Sequence, residues 1–519
     1  MKNSFIFLLL FVLVISVSAQ PSIVRQSVFG EPALDDQAES IIEMPAGGYA
    51  IAGYSGNPLN YNYLITRLTD DFSIVWQTNL GGIDVDKAYG LAATEDGGVV
   101  VTGISLSPDG DVGQNNGGVD TWVVRLSNEG DTVWTKVLGG TGEDFFRSII
   151  TLADGSFIMT GHSNSANGDF PENYGNLDLW VVKLSSDGEL VWKYNYGGSG
   201  NDSGSDVVYD EVRQQLLVIG SSSSSDGNVS LNKGGRDVWL LHLDMEGNLL
   251  WEKTYGGTLG DFGIALTLTT NGGVAFISDI ISNDGDITQS FGQGDIWMAR
   301  VDSAGNLLWQ RTIGLSALDN GRDIIYDAVS DYVYGVGINY DPTVSPPNYI
   351  WDVNFIKLNG LNGGVVWTQN FGGSLYDFGN GMTRNSLGNY VIAGYTDSTD
   401  GDLGGGYKKQ EVLHGNHDIW VFELDEYVAN TDLDLEIASG NDALAFIPAL
   451  QSVQVKTLLL HPAKLVFTDL TGRIVYAEYL HPTTDKLLIG LPNHLPSGIY
   501  FATLSDEISQ ISTVKIVLP

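Results

Sequence analysis

The sequence predicts an all-β fold: a seven-bladed β-propeller, its N-terminal strand closing the last blade, followed by a small C-terminal β-sandwich. Three observations predict it. A tryptophan-led phrase returns at Trp76, Trp134, Trp192, Trp251, Trp309 and Trp367, at intervals of 58 or 59 residues. Each interval holds four short strand-like segments separated by glycine-bearing turns. Rhythm and charge both change after about residue 427. A fixed period of this length marks a repeat architecture, in which each unit buries its faces only against its neighbours.

The chain opens MKNSFIFLLLFVLVISVSAQ, one lysine ahead of an apolar run from Phe5 to Val17 and small residues at Val17 and Ala19. This is the pattern of a signal peptide over 1–19, too short and too early for a membrane span, so an exported protein without a membrane span is expected. Cysteine is absent, which excludes disulfides and thiolate metal sites. Against 25 basic residues stand 63 acidic ones, a formal charge of −38 that argues against nucleic acid as a partner.

The propeller is assigned to 20–427. In the unit that begins at Ala88, AYGLAATEDG alternates up to an Asp96-Gly97 turn and GVVVTGISL is β-branched and apolar. DTWVVRLSNEG alternates again up to a Glu129-Gly130 turn, and DTVWTKVL closes the unit. Four such strands form an antiparallel sheet with two faces to cover, and radial stacking covers both. Third strands begin at Asn62, Asp120, Asp178, Asp237, Asp295, Asp352 and Asp418, which counts seven blades. RQSVFG (Arg25 to Gly30) is a lone fourth strand with Arg25 in the tryptophan slot, and the seventh unit ends without one. The leading strand should therefore complete the last blade and leave no seam.

In such a blade the second-to-third and fourth-to-first connections share one face of the disc. They are the long ones here, and binding residues favour long loops on a rigid frame. Two acidic sets fall on them. The first is Asp35, Asp86, Asp144, Asp202, Asp261, Asp319 and Asp377, five residues after the first glycine of each tryptophan phrase. The second comprises Asp109 and Asp111, Asp169, Asp226 and Asn228, Asp284 and Asp286, and Asp400 and Asp402, each group followed by the aspartate that opens the third strand. Calcium is the cation that Asp109, Asp111 and Asp120 would suit, as would Asp226, Asn228 and Asp237, Asp284, Asp286 and Asp295, and Asp400, Asp402 and Asp418. No unit supplies a complete EF-hand ligand set. The alternative is structural: aspartates where loops enter strands accept backbone N–H groups, a demand that recurs with every blade.

The periodic tryptophans, with Trp122, Trp180, Trp239, Trp297 and Trp420 on third strands, read as inter-blade packing with hydrogen-bonded indoles. Tyr174, Phe291 and Tyr407, irregular aromatics in the long loops, are the better sugar platforms. His414 and His417 are the two histidines close enough in sequence to share a metal, and read as a polar loop. No catalytic motif appears, and no pair of carboxylates stands out for glycoside hydrolysis.

Phrases such as KLSSDGELVW and RVDSAGNLLW resemble the repeats of quinoprotein-like propellers. They are similar to the sialidase Asp-box as well, although here glycine follows the acid directly. That resemblance covers packing and implies no active site. The repeats also resemble the glycine- and aspartate-rich propeller modules of cell-surface proteins from Bacteroidetes.

Residues 428–444 read as a polar linker, and 445–519 as a sandwich with balanced charge, five acids against five bases from Ala443 on. Asp469, Gly472, Arg473 and Val475, then Leu495, Gly498, Ile499 and Tyr500, then Lys515, match a strand, D-x-x-G-[KR]-x-V, L-x-x-G-[IV]-Y and a final lysine-bearing strand. This region resembles the C-terminal sorting domain of the Bacteroidetes type IX secretion system, although IPAL at Ile447 to Leu450 stands where that family opens with P-N-P. The resemblance implies the type IX secretion machinery as a partner and delivery across the outer membrane, secreted or surface-bound. The function expected is thus a non-catalytic propeller that binds glycan or protein. A carboxylate-paired glycan hydrolase and an architectural surface protein are the alternatives.

Overall fold

The computed structural model describes residues 20–340, 351–404 and 417–425, together with the strands that lie between 444 and 518. Tyr407 and His414 lie outside the described residues. Seven four-stranded antiparallel sheets account for the repeats: blades 1 to 6 span 35–80, 86–138, 144–196, 202–255, 261–313 and 319–371. Blade 7 joins Asp377–Arg384, Tyr390–Thr396 and Asp418–Asp425 to the N-terminal strand Ser22–Phe29. The leading strand runs antiparallel to Asp418–Asp425 with Ser22 opposite Asp425 and Phe29 opposite Ile419. The ring therefore closes as the repeat count requires.

First strands of neighbouring blades touch one another around the ring, which puts them innermost. Second and third strands carry the densest apolar runs, and their side chains form clusters that alternate with the blades. Ala52, Tyr63, Leu91, Val101 and Trp122 join blades 1 and 2; Ile158, Val181, Val207, Val218 and Trp239 join blades 3 and 4. Each sheet thus covers both faces, at roughly 1.5–3 kcal/mol per fully buried large side chain.

The two tryptophan series divide the inter-blade work. Fourth-strand indoles donate to a carbonyl in the third-to-fourth turn of the next blade: Trp76 to Asn128 (2.9 Å), Trp134 to Ser186 (3.1 Å), Trp251 to Ser303 (3.2 Å) and Trp309 to Gly360 (2.6 Å). The turn must lie flat on the ring. At Gly130 φ is +86°, and a Cβ there would come within 2.7 Å of the Trp76 indole, so glycine is required on both counts. Arg25 takes the indole's place at the closure, donating to the Asp70 carbonyl, lying 5.6 Å from the Phe72 ring centroid and pairing with Glu423 at 3.5 Å.

Third-strand indoles depend on the residue that follows the fourth-strand tryptophan slot. Glu252, Gln310 and Gln26 accept from Trp239, Trp297 and Trp420 at 2.7–2.9 Å. Blades 2 and 3 have Thr135 and Lys193 in that position, and the buried indole N–H groups of Trp122 and Trp180 have no acceptor among the described residues.

The second compact unit covers 431–519. It contains a three-stranded sheet (Leu444–Ile447, Ser452–Val455, Leu487–Gly490) and a four-stranded one (Ile474–Leu480, Ala463–Asp469, Gly498–Ser505, Gln510–Leu518). Asp469 lies opposite Tyr500, so these two motif positions, far apart in sequence, meet on neighbouring strands. Gly472, Arg473 and Leu495 lie outside the described residues. No helix among the described residues is long and apolar enough to cross a membrane.

Candidate functional site

Both acidic sets lie on one face, as their loops predict, and hydrogen bonds join them there. Each first-strand aspartate folds its carboxylate back onto the turn that precedes it. Gly82, Gly140, Gly198, Gly257 and Gly373 donate their N–H groups to Asp86, Asp144, Asp202, Asp261 and Asp377 at 2.7–2.9 Å. Leu315 does the same to Asp319 at 2.6 Å. These six side chains are fully buried.

The seventh member corrects the sequence reading. Asp36, not Asp35, fills the slot in blade 1: it is fully buried, accepts from Glu31 N–H (2.6 Å), and lies opposite Ser55 as Asp86 lies opposite Ser105. Its own N–H donates to the His417 carbonyl, as that of Asp144 donates to Val119. The closing connection is one residue longer than the repeat unit, and counting from Gly30 lands one short. Asp35 instead accepts from the Tyr61 hydroxyl at 3.0 Å.

The loop set holds the same turns from outside. Asp109 and Asp111 accept from Ile83 and Gly81, Asp169 from Gly139, Asp226 and Asn228 from Ser199 and Gly197, Asp284 and Asp286 from Thr258 and Gly256, Asp400 and Asp402 from Ser374 and Gly372, all at 2.7–3.1 Å. The loop residues of a unit and its third-strand aspartate therefore serve successive junctions. Asp109 and Asp111 hold the turn after blade 1, whereas Asp120 faces Gly139 in the turn after blade 2. The carboxylates that gather belong to different units. Around Gly256, for example, stand Asp237, Asp261, Asp284 and Asp286. A Cβ on Gly256 would meet Asp237 at 2.5 Å and Asp261 at 2.8 Å.

Asp120, Asp178, Asp237 and Asp295 each bury an Oδ1 that meets no hydrogen-bond donor among the described residues. Among the described residues, however, no three His, Cys, Asp or Glu side chains come together in a geometry that holds a metal ion. The junctions bring two strand carboxylates face to face and spend the loop carboxylates on amides. Burial raises Asp120, Asp319 and Asp377 to about 6, the neighbouring aspartate contributing a smaller push in the same direction.

These shifts give stability a pH slope. A carboxyl raised on folding binds a proton that the unfolded chain would release. Its stabilisation is complete below the unfolded value of 3.8 and is lost as pH rises through about 6. His162, lowered to about 4 by burial, acts oppositely, since its neutral form is favoured on folding and that contribution is lost as pH falls below 6.5. The carboxyls outnumber it, and acidification also relieves the self-repulsion of the −38 charge. The thermal midpoint is expected to be higher at pH 5 than at pH 7.5; a lower midpoint at pH 5 would contradict this reading.

A second group of residues, around the axis, is not apparent from the motifs. Every first strand carries a β-bulge two to three residues past its buried aspartate. The residues left out of the ladder are Glu39, Tyr89, Arg147, Ser205, Ile264, Arg322 and Asn380. A bulge re-aims a side chain, and on the innermost strand it aims it at the axial channel. Charges from distant blades meet there: Glu39 of blade 1 interacts with Arg147 of blade 3, Arg322 of blade 6 and Lys87 of blade 2. The detectable signal is positional: each lies three residues after a ring aspartate, at a place where the repeat keeps no residue type.

Above this ring, toward the long-loop face, first strands carry aromatic side chains. Phe145 meets His162 edge-on at 5.4 Å, Phe262 lies 5.6 Å from the Arg236 guanidinium, and Phe378 stacks on Tyr395 at 4.6 Å and 10°. Lys87 sits between the Tyr54 and Tyr61 rings at 4.1 and 4.3 Å. Tyr174 and Phe291 are exposed, but lie in loops of blades 3 and 5 whose backbone N–H groups hold Asp178 and Asp295. His417 hydrogen-bonds Asp397. A shallow groove between blades 2 and 3 presents Asp84 and Glu143, with no aromatic ring in its lining.

No family model matches the chain. A regulatory protein, FlaEY of Caulobacter vibrioides, is 24% identical over 221 residues, which is 39% of this chain and 22% of that protein. The chain thus spans about a fifth of that relative's length. Among solved structures, it is similar to quinohemoprotein alcohol dehydrogenase from Comamonas testosteroni (TM-score 0.41, 10% identity, 83% of this chain and 80% of that one). It is similar to BamB from Moraxella catarrhalis (0.35, 14%, 78% and 98%). It is similar to PorZ, a surface component of the type IX secretion system of Porphyromonas gingivalis (0.36, 13%, 92% and 59%). At these scores the likenesses bear on neither activity nor partner.

Proposed function

We propose that this chain is an exported, non-catalytic binding propeller, secreted or displayed at the cell surface by type IX secretion, which holds a glycan or protein ligand on its long-loop face. The observation that carries the binding reading is how the acids of that face are used. They are spent on backbone amides at seven equivalent junctions, which is a scaffold's use of carboxylates, while the varied and aromatic side chains converge on the axis. An array of glycans probed with the purified protein, with and without calcium, tests it: retention of defined glycans supports the reading, and silence across glycan and protein arrays removes it. Calcium enters as a stabiliser at the two-carboxylate junctions, and equal melting temperatures in excess chelator and in millimolar calcium would remove it from the proposal.

The export half of the reading rests on the signal-like N-terminus and on the sorting motif. The register that sets Asp469 opposite Tyr500 supports it. Deleting residues 443–519 is expected to leave the propeller in the periplasm. Normal surface delivery of the truncated form, followed by fractionation and immunoblotting, would refute the assignment.

A further inference from the structure

Three basic side chains of this acidic molecule project from its innermost strands. The chain has 25 basic residues against 63 acidic ones, yet Lys87, Arg147 and Arg322 all project from first strands, and the two arginines occupy bulge positions in blades 3 and 6. Both interact with Glu39 across the channel. Neither guanidinium has a hydrogen-bond acceptor or a carboxylate within ion-pair distance among the described residues; Arg147 lies 6.0 Å from the Tyr89 ring centroid, and the Nε of Arg322 is buried without a partner. In so acidic a protein, two unpaired guanidiniums facing one channel call for an explanation, because enclosing an unmatched charge is costly.

Asp206 and Asp279 attract these arginines from a distance, but neither reaches hydrogen-bond or ion-pair distance. Asp206 accepts from Ser148 Oγ, Val207 N–H and Leu266 N–H. Asp323 accepts from Ile324 and Met382 N–H, and Asp279 from Gly321 N–H and Asn320 Nδ2. These three tie blade to blade, and burial pushes them toward the protonated form, Asp323 to about 7. Glu39 is the one nearby carboxyl without a backbone tie, and burial raises it as well. Two forks of N–H donors on partly exposed side chains are thus left without an acceptor among the described residues, a geometry that matches an incoming carboxylate.

We propose that Arg147 and Arg322 grip the carboxylate of an acidic saccharide that enters the channel from the long-loop face. This deepens the binding reading above and rests on it. The saccharide follows from the mouth, where half-buried rings and polar groups stand together: Phe145 with His162 at its edge, Phe262 under the Arg236 guanidinium, and Phe378 stacked on Tyr395. A pyranose lays its C–H face on such a ring and turns its hydroxyls to the polar edge, while a uronic carboxylate reaches the arginines below.

The test is titration calorimetry of the full chain at low ionic strength with galacturonate, glucuronate and mannuronate trimers, maltotriose, and a hexaglutamate peptide. At least one uronate trimer is expected to bind, to weaken about tenfold or more in each of Arg147→Gln and Arg322→Gln, and to weaken with added salt, while maltotriose stays silent. Unchanged urea midpoints show that the variants remain folded. Absence of uronate binding, or binding equally tight in the double variant, overturns the proposal, and hexaglutamate binding without uronate binding overturns the saccharide assignment in favour of an acidic peptide. Glycans held on an array independently of both arginines would sink this site while leaving the binding reading intact.

Discussion

Deleting Ser22–Phe29 is expected to destabilise the propeller by on the order of 5 kcal/mol or more and to make it self-associate. The strand forms an antiparallel ladder with Asp418–Asp425, interrupted at Val24, so its removal frees a ladder of backbone groups, each net hydrogen bond contributing roughly 0.5–1.5 kcal/mol. Ile23 and Val28 leave the cluster around Trp420 and Phe422, and Phe29 leaves the one around Ile419 and Val421. Trp420 also loses Gln26 as its acceptor. Against a typical domain stability of about 5–15 kcal/mol this is a large fraction. The bared strand Asp418–Asp425 becomes an edge that carries Ile419, Trp420, Val421 and Phe422, a template for pairing between chains. Urea unfolding with light scattering measures both effects, and a synthetic peptide of residues 20–30 added in trans should restore part of the midpoint. A truncated chain that stays monomeric with an unchanged midpoint would show that the ring is held elsewhere.

Asp261→Ala is expected to be the costliest single substitution on the long-loop face, at about 3–5 kcal/mol. The carboxylate is fully buried and accepts from Gly257 (2.9 Å), Ile281 (3.1 Å) and Ser282 (3.2 Å) N–H groups. Alanine leaves the buried Gly257 and Ser282 N–H groups unmet, at roughly 1–3 kcal/mol each when no water reaches them, while Ile281 N–H keeps the Gly260 carbonyl. It also opens the turn that Asp284 and Asp286 brace from outside. Asp284→Ala, on a more exposed carboxylate with the same turn as its target, should cost about 1 kcal/mol, so the two urea midpoints should separate clearly. Equal midpoints would mean that the buried ring does not carry the frame.

The frame was legible because its causes are local and repeated. A glycine beneath the indoles of Trp76, Trp134, Trp251 and Trp309 and an aspartate beneath each turn recur at one period, and the period counts the blades. Arg25 was recognisable in the tryptophan slot because the phrase around it survived the substitution, and the structure gives it the indole's task of reaching the next turn. Asp36 was misplaced because a one-residue lengthening at Leu34 to Asp36 is invisible to counting and is fixed only by pairing with Ser55. Inferring which loop carboxylate meets which junction failed for a related reason. Asp111 closes the turn behind it and Asp120 the turn ahead, and sequence adjacency cannot show that split. The axial residues lacked a motif, since Glu39, Tyr89, Arg147, Ser205, Ile264, Arg322 and Asn380 share a position and no common residue type.

The bulge confined to one place on each innermost strand has an evolutionary consequence. The side chain it displaces bears little of the ladder's burden, so exchanging it should leave the disc standing while altering what the pore admits. Seven codons, one per blade, then amount to a selector that can be reset independently of the scaffold around it, and paralogues built on this repeat should diverge most sharply there.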